Sequence, residues 1–221
     1  MEFSIVIPCF QSATVLKSVL EEITKVLKNN TYEIILVDDG NQEKESQKLI
    51  QIAEVFPQAK IEKLTTNKGQ HQATLLGCKE AKGDFVVTMD DDGQHNPEVI
   101  LKMKDLSIQY KADIVYANFT YRQERHWRTI LRRLLSKQHL KSSFRLWTKE
   151  VNEQLKNTTN QPPQLLDHLI LKISTNIKYL PTKQRKSLLK KSRYGFWEYY
   201  QYCKLVLNNE NLLRRHRTRK H

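Results

Sequence analysis

Short apolar runs alternate with helix-length amphipathic segments along the first 117 residues. The apolar runs predict five strands, at residues 3–7, 32–37, 60–64, 84–89 and 113–117. The segments between them carry apolar residues three and four apart, which predicts helices over residues 12–28, 43–56 and 70–82 and from Pro97 onward. Strands that are separated by helices predict an α/β fold, with a mostly parallel central sheet flanked by helices on both faces.

After residue 118 the sequence becomes basic and its periodicity less regular. The pattern there predicts helices over residues 124–140, near 148–157 and 164–174 and over an aromatic segment at 195–207, a strand at 176–180, and a short apolar run, FRLW, at 144–147. We therefore divide the chain into residues 1–117, 118–182 and 183–221.

Charge separates the two halves of the chain. Residues 1–110 hold 12 lysines, no arginine and 17 acidic residues, a net charge of −5, whereas residues 111–221 hold 25 basic and 7 acidic residues, a net charge of +18. An acidic half that can hold a cation, followed by a basic half, suits a partner that carries phosphate. Nucleic acid, anionic lipid and a lipid phosphate all fit this distribution.

Cysteine usage and hydropathy bear on the compartment. Cys9, Cys78 and Cys203 lie far apart without a CxxC pair, which predicts neither a zinc site nor a disulfide framework and favours a reducing cytosol. No run approaches the roughly 18 apolar residues of a membrane-spanning helix. We therefore expect a protein that is cytoplasmic or lies on the surface of a membrane.

Acidic residues follow two of the predicted strands, Asp38 and Asp39 after the second and Asp90 to Asp92 after the fourth. In sheets of this kind, ligands bind beyond the carboxyl ends of the strands. Side chains two apart on an extended segment point the same way, so Asp90 and Asp92 can face one ion. Carboxylates suit a hard divalent cation such as Mg²⁺ or Mn²⁺, which also binds diphosphate oxygens.

The residues around this acidic cluster refine the interpretation. Gly93 permits a sharp turn, and Gln94 adds either a neutral oxygen ligand or a donor to phosphate. A solvated acidic loop is the competing interpretation. An EF-hand calcium loop fails on register, since Gly93 at its sixth position would put Thr88 and Val99 where acids are needed. Asp91 faces the sugar or ribose, or serves structure alone.

Four blocks in the same order resemble family-two glycosyltransferases, namely FSIVIPCFQSA, YEIILVDDG, NKGQHQATLLGCKEAKGDFVVTMDDDGQHNPE and SFRLW. They are most similar to the branch that includes dolichyl-phosphate mannose synthases and bactoprenol-phosphate glucosyltransferases. Agreement is close over residues 3–100 and weaker to about residue 205. The resemblance implies an A-type glycosyltransferase fold, a nucleotide-sugar donor and Mg²⁺ or Mn²⁺ as cofactor.

The resemblance also implies roles for individual residues. Those implied to bind the nucleotide are Pro8, Phe10, Asp38, Asp39, Asn67, Gly69, Asp90 and Asp91. Those implied to hold the metal and diphosphate are Asp90, Asp92 and Gln94. Those implied to act in catalysis are Asp92, Arg122, which is expected to contact phosphate, and Arg145, which is expected near the acceptor phosphate. Backbone shape alone is an alternative role for Pro8 and Gly69, and capping of the next helix is an alternative for Asp38.

The implied reaction is inverting transfer of a sugar, with UDP favoured over GDP and a polyprenyl phosphate favoured as acceptor. Such a phosphate is anionic near neutral pH and needs positioning arginines but no general base. Arg125, Arg128 and Arg132, with Arg133 beside them, form a basic helical face that suits phosphate or is only solvated. A sugar hydroxyl of a polysaccharide or glycolipid would need a base, for which Asp167 is the best candidate.

By this account residues 1–117 bind the nucleotide-sugar and metal, and residues 118–182 bind the acceptor. Phe119 stands where bactoprenol-type relatives often have arginine, and Ser187 and Lys190 replace the arginine and glycine of their R-x-x-G-x-S-x-Y motif. These departures leave the acceptor open. A catalytically inactive partner subunit is a third possibility, which the intact DDDGQ motif disfavours.

The C-terminal part, residues 183–221, is basic and carries a cluster of aromatic residues. This composition predicts peripheral attachment to an anionic membrane at its cytoplasmic face; packing of the aromatic residues into the core is the alternative. Nucleic acid is not expected as a partner, because the acidic half would repel phosphate unless a cation is bound and no RNA-binding motif is recognisable. A nucleotidyltransferase is disfavoured, since the loop after the first strand has no glycine.

Overall fold

The computed structural model describes residues 1–119, 142–157 and 166–189. The helix predicted over residues 124–140 and the aromatic helix predicted over 195–207 lie outside these residues. The described strands are β1 (Phe3–Cys9), β2 (Tyr32–Asp38), β3 (Ala59–Lys63), β4 (Phe85–Thr88), β5 (Ile114–Phe119), β6 (Arg145–Thr148) and β7 (Ile177–Thr182). The described helices are α1 (Ala13–Val26), α2 (Glu43–Glu54), α3 (Gln70–Glu80), α4 (Glu98–Tyr110), α5 (Lys149–Asn157) and α6 (Leu166–Ile173).

Within the described residues, the strands form one sheet in the order β3-β2-β1-β4-β6-β5-β7. The pairings of β1 with β2, β1 with β4, β2 with β3 and β5 with β7 are parallel. Strand β6 is antiparallel to both of its neighbours, β4 and β5. The predicted α/β fold with a mostly parallel sheet is therefore confirmed, with β6 as a reversed strand that the sequence pattern did not predict.

Helices cover both faces of the sheet, because alternate strand residues point to opposite sides. Ile5 and Ile7 of β1 belong to the core on the face with α1, α2 and α4, whereas Val6 belongs to the core under α3, α5 and α6. The strands β1 and β2 are buried over nearly their whole length. This two-sided burial is why their sequences are continuous apolar runs.

The structure adds two points about the predicted strands. Strand β1 was expected to end at Pro8 but continues to Cys9. Its pairing with β4 stops at Val6, which lies opposite Thr88, so β1 is unpaired on that side where proline, which lacks an N–H, occurs. The FRLW run forms β6 and so joins the part expected to bind the acceptor to the same sheet as the first 117 residues.

Two further findings concern membranes and thiols. Among the described helices, none has both the length and the apolar character needed to cross a bilayer. Cys9 and Cys78 are buried thiols, and burial raises the pKa of Cys78 to about 12. Both cysteines therefore act as small apolar residues of the core.

Candidate active site

The carboxyl end of β4 leads into the acidic turn, which we define as residues 90–94. Gly93 has a φ of 76°, in the left-handed region that glycine enters without a steric penalty. The backbone N–H of Gln94 donates to Oδ1 of Asp92 at 3.0 Å and closes the turn. The acidic residues are therefore held in a defined loop at the edge of the sheet where ligands bind in this architecture.

Side chains from three parts of the chain fix Asp90. Gln70, the first residue of α3, donates its amide Nε2–H to Oδ1 at 2.5 Å, and the hydroxyl of Ser143 donates to Oδ2 at 2.8 Å. The backbone N–H of Asp90 donates to Nδ1 of His95 at 3.0 Å. This Nδ1 is therefore an acceptor without a proton. These contacts together define the position of the carboxylate.

The ring of His95 packs between the acidic turn and two phenylalanine side chains of the core. Its side chain is buried, and its ring stacks on Phe144 with a centroid separation of 4.8 Å and on Phe119 at 5.5 Å. Because both faces of the ring are packed, the imidazole has little freedom to rotate away from Asp90. The turn thus rests on the hydrophobic core instead of projecting into solvent.

Asp91 connects the acidic turn to the end of β1. It is 2% exposed, and its Oδ2 accepts a hydrogen bond from the backbone N–H of Phe10 at 3.2 Å. Phe10 and Pro8 thereby lie beside the acidic turn, at the same edge of the sheet. This contact fits the structural role considered for Asp91 and brings the residues expected to line the nucleotide pocket next to those expected to hold the metal.

Several negative charges lie close together in the acidic turn. Burial, and after it the charge of Asp90, raises the pKa of Asp92 to about 6. No group of three His, Cys, Asp or Glu side chains converges in the described part of the chain. Mg²⁺ beside a nucleotide needs only one or two carboxylates, because phosphate oxygens and water complete its shell. The donor set of Asp90, Asp92 and Gln94 therefore fits such a cation.

The adjacent acidic pair at the end of β2 has two different environments. Asp38 is 1% exposed and accepts hydrogen bonds from the backbone N–H of Asn41 at 2.9 Å and the hydroxyl of Ser46 at 2.5 Å. Its carboxylate therefore shapes the turn into α2, a role close to the capping alternative. Asp39 accepts instead from the backbone N–H of Lys68 at 2.8 Å. Burial raises the pKa of Asp39, and the N–H groups of Lys68 and Gly69 offset part of the rise.

The loop before α3, residues 66–69, packs directly against this pair. A Cβ at Gly40 would lie 2.2 Å from the backbone nitrogen of Asn67, so only glycine permits the approach. The side chain of Asn67 accepts from the backbone N–H of Gly69 at 3.1 Å. Gly69 has a φ of 85° and open space at its Cβ position. Asn67 and Gly69 are thus at the same sheet edge as Asp39 and Asp90.

A second polar cluster lies beside the last residue of β4, next to this edge of the sheet. In the sheet register, Arg145 of β6 pairs with Thr88 of β4 and Tyr116 of β5. Its Nη1–H donates to Oδ1 of Asp167 at 2.6 Å, and the hydroxyl of Tyr116 donates to the same oxygen at 2.8 Å. The structure therefore brings Arg145 and Asp167 together, as an ion pair.

The ion pair is largely withdrawn from solvent. The side chain of Arg145 is 3% exposed and that of Asp167 is 18% exposed. Burial is the largest single influence and lowers the pKa of Arg145. The charge and hydrogen bond of Asp167, together with the charges of Tyr116 and Cys78, outweigh it, so the pKa is raised. Among the described residues, the Nε of Arg145, which is itself buried, has no hydrogen-bond partner.

Residues 183–189, which we call the C-terminal strap, cross the acidic turn. The backbone N–H of Arg185 donates to the carbonyl of Gln94 at 3.0 Å, and that of Leu188 donates to the carbonyl of Asp92 at 2.9 Å. The guanidinium of Arg185 pairs with Glu22 of α1 at 2.5 Å. The strap therefore connects the acidic turn to α1 and leads directly into residues 190–221.

Several predicted site residues lie outside the described part of the chain. These are Arg122, Arg125, Arg128, Arg132, Arg133 and the residues from 190 onward.

Sequence reasoning missed four residues of this site, namely Gln70, His95, Ser143 and Arg185. Gln70 directly follows Gly69, and His95 directly follows Gln94, so both were within motifs that had been examined for other residues. Ser143 and Arg185 are far from the acidic turn in sequence, and a single sequence contains no signal that pairs them with it.

The chain is similar in sequence to a family of known proteins. A profile of the family "Glycosyl transferase family 2" matches residues 4–165, well over half of the chain. A dolichol-phosphate mannosyltransferase of Pyrococcus furiosus is 35% identical over 114 residues, which are 52% of this chain and 32% of that protein. An undecaprenyl-phosphate 4-deoxy-4-formamido-L-arabinose transferase of Pseudomonas savastanoi is 36% identical over 57% of this chain and 38% of that protein. The chain thus spans about a third of the length of these relatives.

The fold is also found among solved structures. Glucosyl-3-phosphoglycerate synthase from Mycobacterium tuberculosis, in complex with Mn²⁺, uridine diphosphate and glucosyl-3-phosphoglycerate, aligns with a TM-score of 0.63. The alignment covers 94% of this chain and 78% of that chain, at 17% sequence identity. It confirms the expected A-type glycosyltransferase fold. Because the family profile matches residues 4–165, this chain belongs to glycosyl transferase family 2.

Proposed function

We propose that this protein transfers a sugar from a nucleotide-sugar, with UDP as the favoured nucleotide, to a polyprenyl phosphate, with inversion at the anomeric carbon and with Mg²⁺ or Mn²⁺ as cofactor. One observation carries the proposal. The acidic turn, with Asp90 and Asp92, lies at the same sheet edge as loop 66–69 and is joined to it by the hydrogen bond from Gln70. A metal-bound diphosphate and its nucleoside can span these two neighbours.

Two observations support the proposed binding of a metal and a nucleotide-sugar: the negative charge of the acidic turn and the similarity to a solved structure. The raised pKa of Asp92 reflects burial and excess negative charge, which a divalent cation relieves. A bound cation also offsets the charge that develops on the departing diphosphate. A solved structure of the same fold contains Mn²⁺ and uridine diphosphate. These observations favour a metal-bound uridine diphosphate leaving group.

The acceptor end is supported by the Arg145 cluster. Two relatives carry a polyprenyl phosphate in their names, dolichol phosphate in one and undecaprenyl phosphate in the other. Arg145 lies beside the end of β4, and a guanidinium is a fork-shaped donor that suits phosphate oxygens. Asp167, the candidate base for a sugar hydroxyl, already accepts hydrogen bonds from Arg145 and Tyr116. A carboxylate held in this way orients an arginine better than it removes a proton, which favours the phosphate acceptor.

The roles of the chain in this reaction follow from its contacts. Asp90 and Asp92 hold the diphosphate end of the donor through the cation, and Asp39 with loop 66–69 holds the nucleoside end. Arg145, fixed by Asp167, orients the acceptor phosphate, whose oxygen attacks the anomeric carbon from the face opposite the leaving group. Catalysis then depends on positioning and charge stabilisation, with no proton to remove from the acceptor.

The proposal includes peripheral attachment at the cytoplasmic face of an anionic membrane. The strap occupies residues 183–189 on the acidic turn, so attachment is assigned to residues 190–221. Those residues hold nine basic and two acidic side chains, together with the aromatic cluster. Basic and aromatic residues are drawn to an anionic bilayer surface, where the polyprenyl phosphate is located.

A transfer assay tests the proposed function. The full chain is incubated with UDP-hexoses or GDP-mannose, detergent-dispersed polyprenyl phosphate and Mn²⁺, and lipid-linked sugar is measured. We expect a polyprenyl-phosphate sugar whose anomeric configuration is opposite to that of the donor, and no product with the corresponding polyprenol. Product on a sugar hydroxyl but not on polyprenyl phosphate would contradict the acceptor assignment.

The matched control separates loss of the metal site from loss of charge. Asp90→Ala/Asp92→Ala removes both carboxylates of the acidic turn, whereas Glu54→Ala/Asp105→Ala removes two exposed carboxylates from α2 and α4. We expect the first variant to lose activity by about two orders of magnitude or more and the second to keep it. Equal activity of the two variants would contradict the metal role.

A further inference from the structure

Among the described residues, the side chains of Gln70 and Ser143 donate hydrogen bonds to Asp90, and each is held in place by different contacts. Ser143 belongs to the sheet side, where its backbone carbonyl accepts from the hydroxyl of Thr88 at 2.7 Å. Gln70 belongs to the nucleotide side, where its backbone carbonyl accepts from the hydroxyl of Thr74 at 2.7 Å. Since an ionised carboxylate only accepts, Gln70 must present its amide nitrogen to Asp90. Each oxygen of Asp90 therefore has its own donor.

A continuous series of contacts runs from Asp39 through loop 66–69 to Asp90. Asp39 accepts from the backbone N–H of Lys68, and the tight contact between Gly40 and Asn67 fixes the start of the same loop. Gln70 follows two residues later and donates to Asp90. A displacement of loop 66–69 therefore moves the donor of Gln70, whereas it leaves Ser143 in place.

We infer that Gln70 is a positioning residue through which occupancy of the nucleoside loop is coupled to metal binding at Asp90. The inference rests on the proposed function and deepens it. A nucleoside bound against loop 66–69 restrains the segment that places Gln70 on Oδ1 of Asp90, and so favours the geometry that binds the cation. Coupling between two binding equilibria is reciprocal, so the cation also tightens nucleoside binding. Ser143 supports metal affinity without contributing to this coupling.

The test must separate this coupling from the direct bond between metal and diphosphate. Uridine has no diphosphate, so any effect of uridine on Mn²⁺ binding passes through the protein. Free Mn²⁺ is measured by electron paramagnetic resonance as Mn²⁺ is titrated into the full chain, with and without saturating uridine. Guanosine and the two nucleoside diphosphates are measured in parallel. The readout is a pair of dissociation constants and their ratio, without any turnover.

Four proteins are compared, namely wild type, Gln70→Met, Ser143→Ala and Gln72→Met, the last being a matched substitution in the first turn of α3. We expect uridine to tighten Mn²⁺ binding to wild type by about fivefold or more. Gln70→Met and Ser143→Ala should each weaken Mn²⁺ binding by roughly 10- to 100-fold. Only Gln70→Met should lose the effect of uridine, and Gln72→Met should match wild type.

The outcomes distinguish this inference from the proposed function. If wild type binds Mn²⁺ and a nucleoside diphosphate but Gln70→Met keeps the wild-type uridine effect, the coupling role is wrong and the proposed function stands. Absence of any uridine or guanosine effect in wild type would also overturn it. If wild type binds neither Mn²⁺ nor a nucleoside diphosphate, both fail. Gln70→Asn, whose amide is too short to reach Asp90, repeats the comparison should Gln70→Met fold poorly.

Discussion

At the scale of single residues, the ionised side chain of Asp92 lowers the stability of the metal-free fold. Its folded pKa of about 6, raised first by burial and then by the charge of Asp90, lies above the usual value of 3.8. An acid whose pKa is raised on folding costs stability where it is ionised in both states. The cost is absent at a pH below the unfolded pKa and fully present above the folded one. A cation bound by Asp92 would offset this loss of stability.

We predict that Asp92→Asn stabilises the metal-free protein. The amide keeps an oxygen for the N–H of Gln94 but carries no charge. At neutral pH the variant should gain about 2 kcal/mol in the free energy of unfolding, and the gain should vanish as the pH falls from about 6 to about 4. Chemical denaturation in the presence of a chelator measures this difference.

With Mn²⁺ present the order of stability should reverse, because the cation stabilises only a protein that binds it. Asp105→Asn, an exposed substitution on α4, is the control and should show neither effect. A metal-free Asp92→Asn protein that is less stable than wild type at neutral pH would contradict this account of the acidic turn.

A second prediction at this scale concerns the pair of Arg145 and Asp167. Asp167→Asn leaves a buried guanidinium without its counter-ion, so we expect a loss of about 3 kcal/mol in the free energy of unfolding. Arg145→Met/Asp167→Leu should cost less than the single change, because no unpaired charge remains. Denaturation of the single and double variants measures this. A stable Asp167→Asn protein that is inactive would instead support Asp167 as a base.

At the scale of elements, local patterns were sufficient for much of the fold. The strands β1, β2 and β5 and the helices α1 to α4 fall within one to three residues of the predicted limits. The reversed direction of β6 was not predicted, because a run of four residues shows the same pattern whichever way the strand runs. Its orientation is set by pairing between β4 and β5, which is tertiary information.

The site was predictable where a motif contained it and not where it depends on distant contacts. Asp39, Asn67 and Asp90 lie together at the sheet edge, as the carboxyl-end rule predicts. Asp38 was expected beside the nucleotide, yet its carboxylate is occupied by Asn41 and Ser46 within its own turn. Residues such as Ser143, which approach the site from another part of the chain, are known only from the fold.

The strap gives a prediction for an element. At Gly93 a side chain meets both a positive φ and the side chain of Leu188, which would lie 2.5 Å from the new Cβ. We expect Gly93→Ala to cost more than the backbone strain of about 1 kcal/mol. Gly69→Ala has open space at the Cβ, so its cost should be backbone strain alone. That strain should be about 1–3 kcal/mol, because a φ of 85° with a ψ of 157° lies in a region that is nearly exclusive to glycine. Thermal unfolding of the two variants measures the difference.

Addition of Leu188→Ala to Gly93→Ala should recover the steric part of the loss and leave the strain. If Leu188→Ala adds its own full cost instead, the strap does not pack on the acidic turn as described.

At the scale of the whole molecule, the uneven charge separates the segment expected to bind a cation from the segment expected to bind a membrane. The acidic half supplies the turn where a cation is expected, and the basic residues accumulate after the last described strand. We predict that a chain ending at Leu189 keeps the strap and nucleotide binding but no longer sediments with vesicles containing anionic lipid. Co-sedimentation at low and high salt measures this, and neutral vesicles are the control. Equal sedimentation of the truncated and full chains would contradict attachment through residues 190–221.

The central claim is that the acidic turn binds a nucleoside diphosphate through a divalent cation. Calorimetric titration of UDP and GDP, each with and without Mn²⁺, into wild type and Asp90→Ala/Asp92→Ala tests it most directly. The account predicts that wild type binds one of the two, with UDP favoured, only when Mn²⁺ is present, and that the variant, though folded, does not. A folded wild type that binds neither nucleotide, or a variant that binds as well as wild type, would contradict it.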